Sequence, residues 1–279
     1  MKQIITALIF SIFIASGFAQ NKASDGKIYL LVRADDIASF HDANIACIRS
    51  ATEGIAQSIE IMVPCAWFPE AVKMLNENPS IDVGVHLLLT SEWDEIKWRP
   101  LTNAPSLTDK DGYFFPVVWG KADNQNCLLN KNWKLDEIEK ELRAQIELAQ
   151  KNIPRLSHIS AHMGFSGMDS KVSELVNRLG EEYHLKTEKD FLLKRMEGWG
   201  KVQSTEEAIA KFIENIKNLA PGTYLFVEHP GLDKEEMQAI SKSNIAETRQ
   251  RVTDVFTSKE VIQALKEKGV DLISYAELK

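Results

Sequence analysis

Short apolar segments alternate with amphipathic helical segments along most of the chain, and this alternation limits the possible folds more than any other feature. Residues 27–34, 58–64 and 81–89 are predicted to be buried strands, and no tight-turn motif joins one to the next. Strands connected by helices rather than by hairpins pair in parallel. We therefore predict an α/β fold in a single domain, a distorted (β/α) TIM-like barrel of about seven mostly parallel strands. An open, doubly wound sheet is the alternative.

The second half of the chain continues this alternation. Further strands are predicted, in chain order, at 155–162, near 183–187, at 222–231 and at 270–278. Helices are predicted between them, and Ser204 and Thr257 each stand three residues before a glutamate, the spacing of a helix-capping box. Residues 90–133 form a long irregular segment that contains four tryptophans. No glycine-rich dinucleotide motif follows the first strand, which argues against a nucleotide cofactor.

The composition limits the partners of the protein. The chain has 279 residues and a net charge of −7, and its basic residues are not clustered. This argues against nucleic acid or an anionic membrane surface as a partner. The three cysteines, Cys47, Cys65 and Cys127, are too few and too scattered for a disulfide framework, and no Cys-x-x-Cys motif occurs. The folded protein is therefore expected to depend on its apolar core.

The first residues have the pattern of a secretory signal peptide. Lys2 precedes an apolar run at 4–14, and small residues lead to Ala19, where cleavage is predicted. The apolar run is short for a membrane span. We therefore predict a signal peptide at 1–19, a barrel domain at 20–279, and a secreted or periplasmic protein without a stable membrane span after cleavage.

Polar residues with metal-ligand chemistry stand at the ends of the predicted strands. In chain order they are Asp35 and Asp36, His86, His158 and His162, and Glu228 and His229. The carboxyl ends of parallel strands meet at one edge of the sheet, so these side chains are expected to form one site. A single histidine in a strand is usually a core residue, and an aspartate after a strand is usually a helix cap. Four such strand ends on one edge favour a shared site.

Two adjacent acids in a buried place repel each other. A divalent metal bound by one aspartate and two histidines would offset this repulsion, and the second aspartate could accept a proton from a water molecule that the metal activates. On the fourth strand, His158, Ser160 and His162 share one face, and His162 is nearest the edge. His162 is therefore the better ligand, whereas His158 either binds the metal, supports the site from behind or belongs to the core.

The order of these motifs resembles that of a known family. The chain contains, from about residue 27 to residue 279, the segments LLVRADD, IDVGVHLLLT, SHISAH, FVEHPG and GVDLISYAEL. These segments are similar, in the same order, to motifs of the YdjC-like carbohydrate deacetylases, a group that includes the chitooligosaccharide deacetylases. The resemblance implies a distorted (β/α) barrel and one divalent metal ion per chain, either zinc or magnesium.

The resemblance also implies roles for individual residues. The metal ligands that it implies are Asp36, His86 and His162. Asp35 matches the catalytic base of the family, and His229 matches a histidine that protonates the leaving amine. His158 and Ser160 are expected to support the ligands from behind. Each role is carried over by the position of the residue in its motif.

Three residues of the irregular segment are expected near the substrate. Arg99, with the proline that follows it, matches an Arg-Pro pair that lines the site in the family. Trp93 and Trp98 stand close to Arg99 in sequence and could stack on sugar rings. The alternative is that these tryptophans anchor the long segment to the barrel.

The chain departs from the family pattern at three places. Ser160 replaces the aspartate of the family motif His-x-Asp-Ser-His, so a carboxylate that could orient a ligand histidine is missing. The family form ADDFG is ADDIA here, with Ile37 and Ala38, and MGF at 163–165 follows His162 where further histidines are common. The intact ligand set predicts metal binding, whereas the altered edge leaves the substrate open.

We therefore expect a metal-dependent hydrolase that removes acetyl groups from N-acetylated sugars or oligosaccharides. Two alternatives stay open: metal-dependent hydrolysis of another bond, such as a phosphoester, and a periplasmic carbohydrate-binding protein with a vestigial site. Only Arg33 and Arg99 stand near the motifs, which is few basic residues for a phosphate. The sequence leaves open which sugar is bound, which metal, and whether the protein is a monomer or a homodimer.

Overall fold

The computed structural model describes residues 25–120, 126–240 and 244–278. The predicted signal peptide at 1–19 lies outside these residues and stays a prediction. Within the described ranges, no helix is both long enough and apolar enough to cross a membrane. The three cysteines are buried and free, as expected for a chain without a disulfide framework.

The described part of the chain contains seven strands, which form one parallel sheet. They are β1 (Ile28–Ile37), β2 (Ser58–Ile61), β3 (Asp82–Leu87), β4 (His158–Ala161), β5 (Lys194–Arg195), β6 (Gly222–Glu228) and β7 (Val270–Leu272). Their order is β4-β3-β2-β1-β6-β5, and β7 pairs with the first residues of β1. All of these pairs are parallel. The sheet curls into a half-barrel, which confirms the predicted α/β fold and its mostly parallel strands.

Eight α-helices in the described ranges accompany the strands. They are α1 (His41–Thr52), α2 (Phe68–Glu77), α3 (Leu135–Asn152), α4 (Ser170–Glu182), α5 (Thr205–Lys217), α6 (Glu235–Ile240), α7 (Ile245–Thr257) and α8 (Lys259–Lys268). Their apolar faces and the outer face of the sheet share one large core. In α3, for example, Ile138, Leu142, Ile146 and Ala149 recur every three or four residues and are all buried. This spacing gives the helix one apolar stripe, which packs on the sheet.

The two predicted helix caps have different outcomes. The hydroxyl of Ser204 accepts a hydrogen bond from the Glu207 N–H group at 3.2 Å, which confirms Ser204 as the cap, while the Glu207 carboxylate accepts from the Gln203 N–H group instead of closing the box at Ser204. The predicted cap at Thr257 is wrong, because Thr257 is the last residue of α7 and its hydroxyl donates to the Thr253 carbonyl. Ser258 takes the capping position of α8 instead, where its hydroxyl accepts a backbone N–H of the first turn.

The predicted strand near 183–187 is also wrong. Only Lys186 pairs there, in a single bridge to His158. The segment turns sharply after α4, with a left-handed backbone at His184, and this conformation is incompatible with a strand. The short strand β5 follows a few residues later and pairs with β6.

The inner face of β1 changes from apolar to polar along the strand. Its even-numbered residues from 30 to 34 pack in the main core. Tyr29 and Leu31 point to the other side and form a small inner cluster. Because side chains alternate along a strand, Arg33 and Asp35 follow them on this inner face. The half-barrel therefore has an apolar floor and a polar upper interior, at the carboxyl edge of the sheet.

Candidate active site

Three side chains that were predicted to bind a metal converge at the carboxyl edge of the sheet. Asp36 lies near the end of β1, His86 lies in β3, and His162 directly follows β4. Asp36 Oδ1 lies 3.6 Å from His86 Nε2 and 3.5 Å from His162 Nδ1, and the two nitrogens are 3.3 Å apart. All three side chains are buried. One ligand atom of each lies within 4.8 Å of the others, so this group could bind a metal ion.

An irregular backbone brings both adjacent acids to the site. Consecutive side chains in a strand normally point to opposite faces. Here the pairing of β1 with β2 shifts in register between Ala34 and Ile37, and Asp36 has a φ of 74°. The left-handed conformation is unfavourable for a residue with a Cβ, and a hydrogen bond from the Ser39 N–H group to the Asp36 carbonyl closes the turn. As a result, Asp35 and Asp36 line the same cavity.

One carboxylate oxygen of Asp36 is buried without a hydrogen-bond partner among the described residues. Asp36 Oδ2 accepts a hydrogen bond from Arg249 Nη2 at 2.7 Å, whereas Oδ1 accepts none. Burial would raise the pKa of Asp36, but the positive charges of His229 and Arg249 hold it well below its usual value. The unpaired oxygen therefore belongs to an ionised carboxylate. A divalent cation fits this donor set, because a buried charge needs compensation and zinc binds carboxylate and imidazole together.

Glu92 supports His162 from the side opposite the ligand group. Its Oε2 lies 3.2 Å from His162 Nε2, which leaves Nδ1 directed at Asp36. A carboxylate on the far nitrogen is the usual way in which a metal-binding histidine is oriented. Burial opposes a charge on the ring, but Glu92 and Asp36 raise the pKa of His162 to about 10. The two carboxylates therefore favour a positive charge at this position, whether a proton or a metal.

His86 has a hydroxyl group behind it instead of a carboxylate. His86 Nδ1 lies 2.7 Å from Ser160 Oγ, while Nε2 faces Asp36. Burial lowers the pKa of His86 to about 4, so the ring is neutral, as a metal ligand must be. Ser160, expected to support a ligand, thus contacts His86 directly.

A second layer of polar side chains lies deeper in the half-barrel. Glu60 of β2 and His158 of β4 meet across β3, with 2.6 Å between Glu60 Oε1 and His158 Nε2. The other oxygen of Glu60 accepts a hydrogen bond from Ser160, and His158 Nδ1 lies 2.7 Å from Ser157 Oγ. Burial opposes ionisation, yet His158 and Arg33 lower the pKa of Glu60 to about 2. The structure places His158 in this deeper layer, away from the ligand group.

Asp35 lies beside the ligands and is held by Arg33. Arg33 Nη2 donates to Asp35 Oδ2 at 2.9 Å, and Arg33 Nε lies 2.8 Å from Oδ1 without hydrogen-bond alignment. Asp35 Oδ2 is 3.8 Å from His86 Nε2. Arg33 also donates to the hydroxyl of Tyr275 at 3.3 Å, which fixes the guanidinium from below. The Asp35 carboxylate thus lies beside the ligand group through Oδ2, within reach of a water molecule in the cavity, as a proton acceptor requires.

The ligand group opens into a cavity of about 610 Å³, a size typical of small-molecule sites. His229, which follows β6, lines this cavity with a side chain that is 42% exposed and lies 3.8 Å from the Glu228 carboxylate. Partial burial opposes protonation, but Asp36 and Glu228 raise the pKa of His229 above its usual value. An imidazole whose protonated form is favoured therefore faces the same space as the two acids.

Of the three residues expected near the substrate, the structure brings Trp93 to the cavity and leaves the other two outside its lining. The Trp98 side chain is buried, and its indole N–H donates to the Thr90 carbonyl at 2.6 Å. The exposed guanidinium of Arg99 donates to the Asp111 carbonyl at 2.7 Å. Both side chains hold the long irregular segment in place, which is the alternative considered for the tryptophans.

The segment MGF at 163–165, where the chain departs from the family pattern, forms part of the cavity wall. Met163 and Gly164 both have left-handed backbone, with φ of 52° and 64°, and both line the cavity. Phe165 is fully buried. The Trp119 side chain, which is 47% exposed, donates its indole N–H to the Met163 carbonyl at 3.1 Å. An exposed aromatic ring therefore stands next to the cavity wall in the region where the family has further histidines.

Sequence reasoning missed three residues that support the ligand group. Glu60 is a lone acid in the short strand SIEI, and Arg249 lies in the apolar stripe of α7 between Ala246 and Val252. A charged residue at a position where the pattern predicts an apolar one was a usable signal in both cases. Glu92 lies in the irregular segment, where no periodicity exists to single it out.

Comparison with known proteins agrees with the resemblance found in the sequence. The sequence model for the family described as YdjC-like protein matches residues 29–267. The chain belongs to the YdjC-like protein family. The match begins at the second residue of β1 and ends one residue before the end of α8. It includes each residue of the ligand group.

Individual YdjC-like relatives match different shares of the chain. A protein of Thermus thermophilus named carbohydrate deacetylase is 34% identical over 168 residues, which cover 57% of this chain and 53% of that protein. A protein of Brevibacillus brevis with the same name is 26% identical over 89% of this chain and 99% of its own length. A crystal structure from Enterococcus faecalis V583, named a cellobiose-phosphate cleavage protein, is 23% identical with a TM-score of 0.73 over 90% of this chain and 99% of that chain. This last similarity shows a shared fold.

Proposed function

We propose that the protein is a metal-dependent carbohydrate deacetylase, which hydrolyses the acetamide group of N-acetylated sugars or oligosaccharides. The observation that carries the proposal is the buried group of Asp36, His86 and His162, with one unpaired carboxylate oxygen, at the edge of an open cavity. The shared name carbohydrate deacetylase of the Thermus and Brevibacillus relatives supports the reaction. The sugar itself is not fixed by these observations.

Asp36, His86 and His162 would hold the metal, one ion per chain. Two imidazoles and one carboxylate suit zinc better than magnesium, which prefers oxygen ligands. A divalent metal bound there polarises the acetyl carbonyl and lowers the pKa of water. Glu92 orients His162 for this role, as the contact of 3.2 Å indicates.

Asp35 would accept the proton of the attacking water. Its carboxylate lies 3.8 Å from His86 and lines the cavity, so it faces the same space as the ligand group. The Arg33 guanidinium holds one oxygen through a hydrogen bond and leaves the other without one. In this proposal the acid in contact with Arg33 is the base, and the acid paired with Arg249 is the ligand.

His229 would donate a proton to the departing amine. An amine leaves an acetamide readily only if it is protonated, and a general acid contributes typically on the order of 10²–10⁴-fold. Asp36 and Glu228 raise the pKa of His229, which favours the protonated ring, and the ring lines the cavity. Because the proton must be present, activity should fall as the pH rises through the pKa of His229.

The deciding experiment measures acetate release from N-acetylglucosamine, chitobiose and longer N-acetylated oligosaccharides. The purified protein is first stripped with a chelator and then assayed before and after zinc is added. We expect acetate release that requires the metal and that His229→Gln weakens most at pH values below the pKa of His229, where the wild-type ring carries its proton. Release of phosphate from phosphorylated sugars without acetate release would favour the phosphoesterase alternative, and tight sugar binding without turnover would favour a binding protein.

Export belongs to the same proposal and rests on the sequence of residues 1–19. A secreted or periplasmic deacetylase would meet acetylated glycans outside the cytoplasm. N-terminal sequencing of the native protein tests this part independently, and we expect it to begin at or near Gln20.

A further inference from the structure

We propose that Glu60, acting through Ser160, fixes which nitrogen of His86 carries the ring proton and so prepares the other nitrogen to bind the metal. This inference rests on the proposed function, because it concerns His86 as a ligand. Glu60 is fully buried and does not line the cavity, so it would be a positioning residue. A fully buried carboxylate is rare unless it is paired. The partners of Glu60 therefore indicate its role.

Glu60 reaches Ser160 because the strand between them has no side chain in the way. The pairing register aligns Glu60 of β2 with Gly84 of β3 and with His158 of β4. A Cβ atom at residue 84 would lie less than 3.0 Å from both the Glu60 carboxylate and the His158 ring. The glycine therefore leaves a gap through which the two side chains meet. Two residues further along, His86 stands beside Ser160 in the same register.

The hydrogen bonds along this path can run in one direction only. The ionised carboxylate of Glu60 accepts hydrogen bonds and cannot donate one. The single hydroxyl proton of Ser160 therefore goes to Glu60, and Ser160 Oγ must accept a hydrogen bond from His86 Nδ1. The neutral ring then carries its proton on Nδ1. Its lone pair is left on Nε2, the atom that faces Asp36 Oδ1 at 3.6 Å.

The two ligand histidines are thus supported in different ways. His162 has the Glu92 carboxylate directly on its outer nitrogen. His86 has a serine there, and the carboxylate stands one residue further away, on the neighbouring strand. The acid that the motif lacks at position 160 is in this way replaced by Glu60.

The test uses Glu60→Gln, which keeps the shape of the side chain but gives it a donor. The amide can donate to Ser160, and Ser160 can then donate to His86 Nδ1. The ring proton moves to Nε2, the nitrogen that must bind the metal. We expect the affinity for zinc, measured by competition with a chromophoric chelator, to fall by about 10- to 100-fold. Ser160→Ala should weaken zinc binding in the same range.

The matched control is Ser157→Ala. It removes a hydroxyl group that contacts His158 at 2.7 Å, in the same deep layer but off the path to His86. Zinc affinity should be unchanged in this variant. Thermal melting of the metal-free proteins, recorded for all variants, separates a loss of zinc affinity from a loss of folding. If Ser157→Ala weakened zinc binding as much as Glu60→Gln does, the loss would reflect general disruption of this layer. That result would overturn the proposal.

The ring proton can be observed directly in the wild-type protein. Imidazole ¹⁵N NMR of the metal-free protein, with His86→Ala to assign the signal, reports which nitrogen is protonated. We expect Nδ1 in the wild type and Nε2 in Glu60→Gln. A wild-type ring protonated at Nε2 overturns the proposal even if no variant of Glu60 folds.

A rescue experiment completes the test. The double variant Glu60→Ser with Ser160→Asp moves the carboxylate onto the residue beside His86, and it should bind zinc more tightly than Ser160→Ala. If the wild type and Glu60→Gln bind zinc equally well, the proposal fails while the proposed function stands. If the wild type itself binds no zinc or other divalent metal, the proposed function fails first.

Discussion

The interior of the half-barrel holds two polar layers that contain the same kinds of side chain but differ in how their atoms are paired. The lower layer consists of Glu60, His158 and Ser160, and the upper layer consists of Asp35, Asp36, His86 and His162. Every side-chain nitrogen and oxygen of the lower layer has a hydrogen-bond partner. In the upper layer, Oδ1 of each aspartate has none among the described residues.

This difference separates a supporting layer from a binding layer. Buried polar atoms in native proteins are nearly always paired, so an unpaired one indicates a place for a ligand. In the lower layer, hydrogen bonds with His158 and Ser160 hold both oxygens of the buried Glu60 carboxylate. The upper layer brings two acids together beside a cavity, and one oxygen of each accepts no hydrogen bond from the described residues, although Asp35 Oδ1 stays in ionic contact with Arg33. The same chemical groups therefore stabilise the fold in one layer and are available for metal binding and proton transfer in the other.

The largest expected effect comes from removing a ligand of the upper layer. His86→Ala should abolish metal retention and lower kcat by more than about 100-fold. Loss of a residue that only supports a metal ligand typically costs no more than about 100-fold. Elemental analysis after zinc reconstitution and dialysis measures the metal. His184→Ala, which changes an exposed histidine outside both layers, is the control and should retain one metal ion per chain. Metal retention in His86→Ala would contradict the ligand assignment.

The second test divides the upper layer into its two acids. Asp35→Asn should keep the metal, because the ligand set is untouched, and should lower kcat by about 10²–10⁴-fold, as loss of a general base does. Asp36→Asn should instead weaken metal affinity. Metal titration of both variants, followed by rates at saturating metal, distinguishes the two acids. If Asp35→Asn is the variant that loses metal, their roles are reversed.

The third test breaks the lower layer. His158→Ala leaves one oxygen of the fully buried Glu60 carboxylate without its hydrogen-bond partner, which should reduce the free energy of unfolding by about 3 kcal/mol, the upper end for an unsatisfied buried acceptor. Denaturant unfolding of the metal-free protein measures this loss. His86→Ala should change the same quantity less, because Asp35 and Asp36 keep their contacts with Arg33 and Arg249 when this ring is removed. A similar loss of stability in both variants would remove the distinction between the layers.

The smallest expected effect concerns the backbone that brings Asp36 into the upper layer. Ala38 follows in the same turn and has a φ of 84°, where an L-residue with a Cβ is disfavoured by about 1–2 kcal/mol. Ala38→Gly relieves this strain and, after the entropy of the glycine is subtracted, should stabilise the protein by about 0.5–1 kcal/mol. Ala34→Gly in the regular part of β1 is the control and should destabilise it. Thermal melting measures both.

The fold and the upper layer could largely be predicted from the sequence, because both depend on local patterns. The alternation of strands and helices predicts the parallel sheet, and ligand-type residues at strand ends predict a shared site. Which acid faces the two histidines did not follow from the pattern, since it depends on the left-handed turn at Asp36. The order came from the family resemblance.

The lower layer could not be predicted, because it depends on the register between strands. Nothing in the sequence aligns Glu60 with Gly84 and His158, so their meeting across β3 becomes visible only in three dimensions.

The positions of side chains in the irregular segment also could not be predicted from the sequence. Its tryptophans look alike in sequence, yet Trp98 is buried as an anchor, whereas the Trp119 side chain is 47% exposed beside the cavity wall.

The contact between Arg33 and Tyr275 joins residues 242 positions apart in the sequence. Tyr275 also stacks on His158, with 3.9 Å between ring centroids, and its N–H group bonds to Asp82. During synthesis, the strands that carry the acids and histidines are therefore complete long before the part of the chain that closes their floor. Contacts this distant in sequence form late, because the chain between them must first be ordered. A polypeptide truncated before Tyr275 would contain every residue of the ligand group but would lack the contact that holds Arg33 beside Asp35.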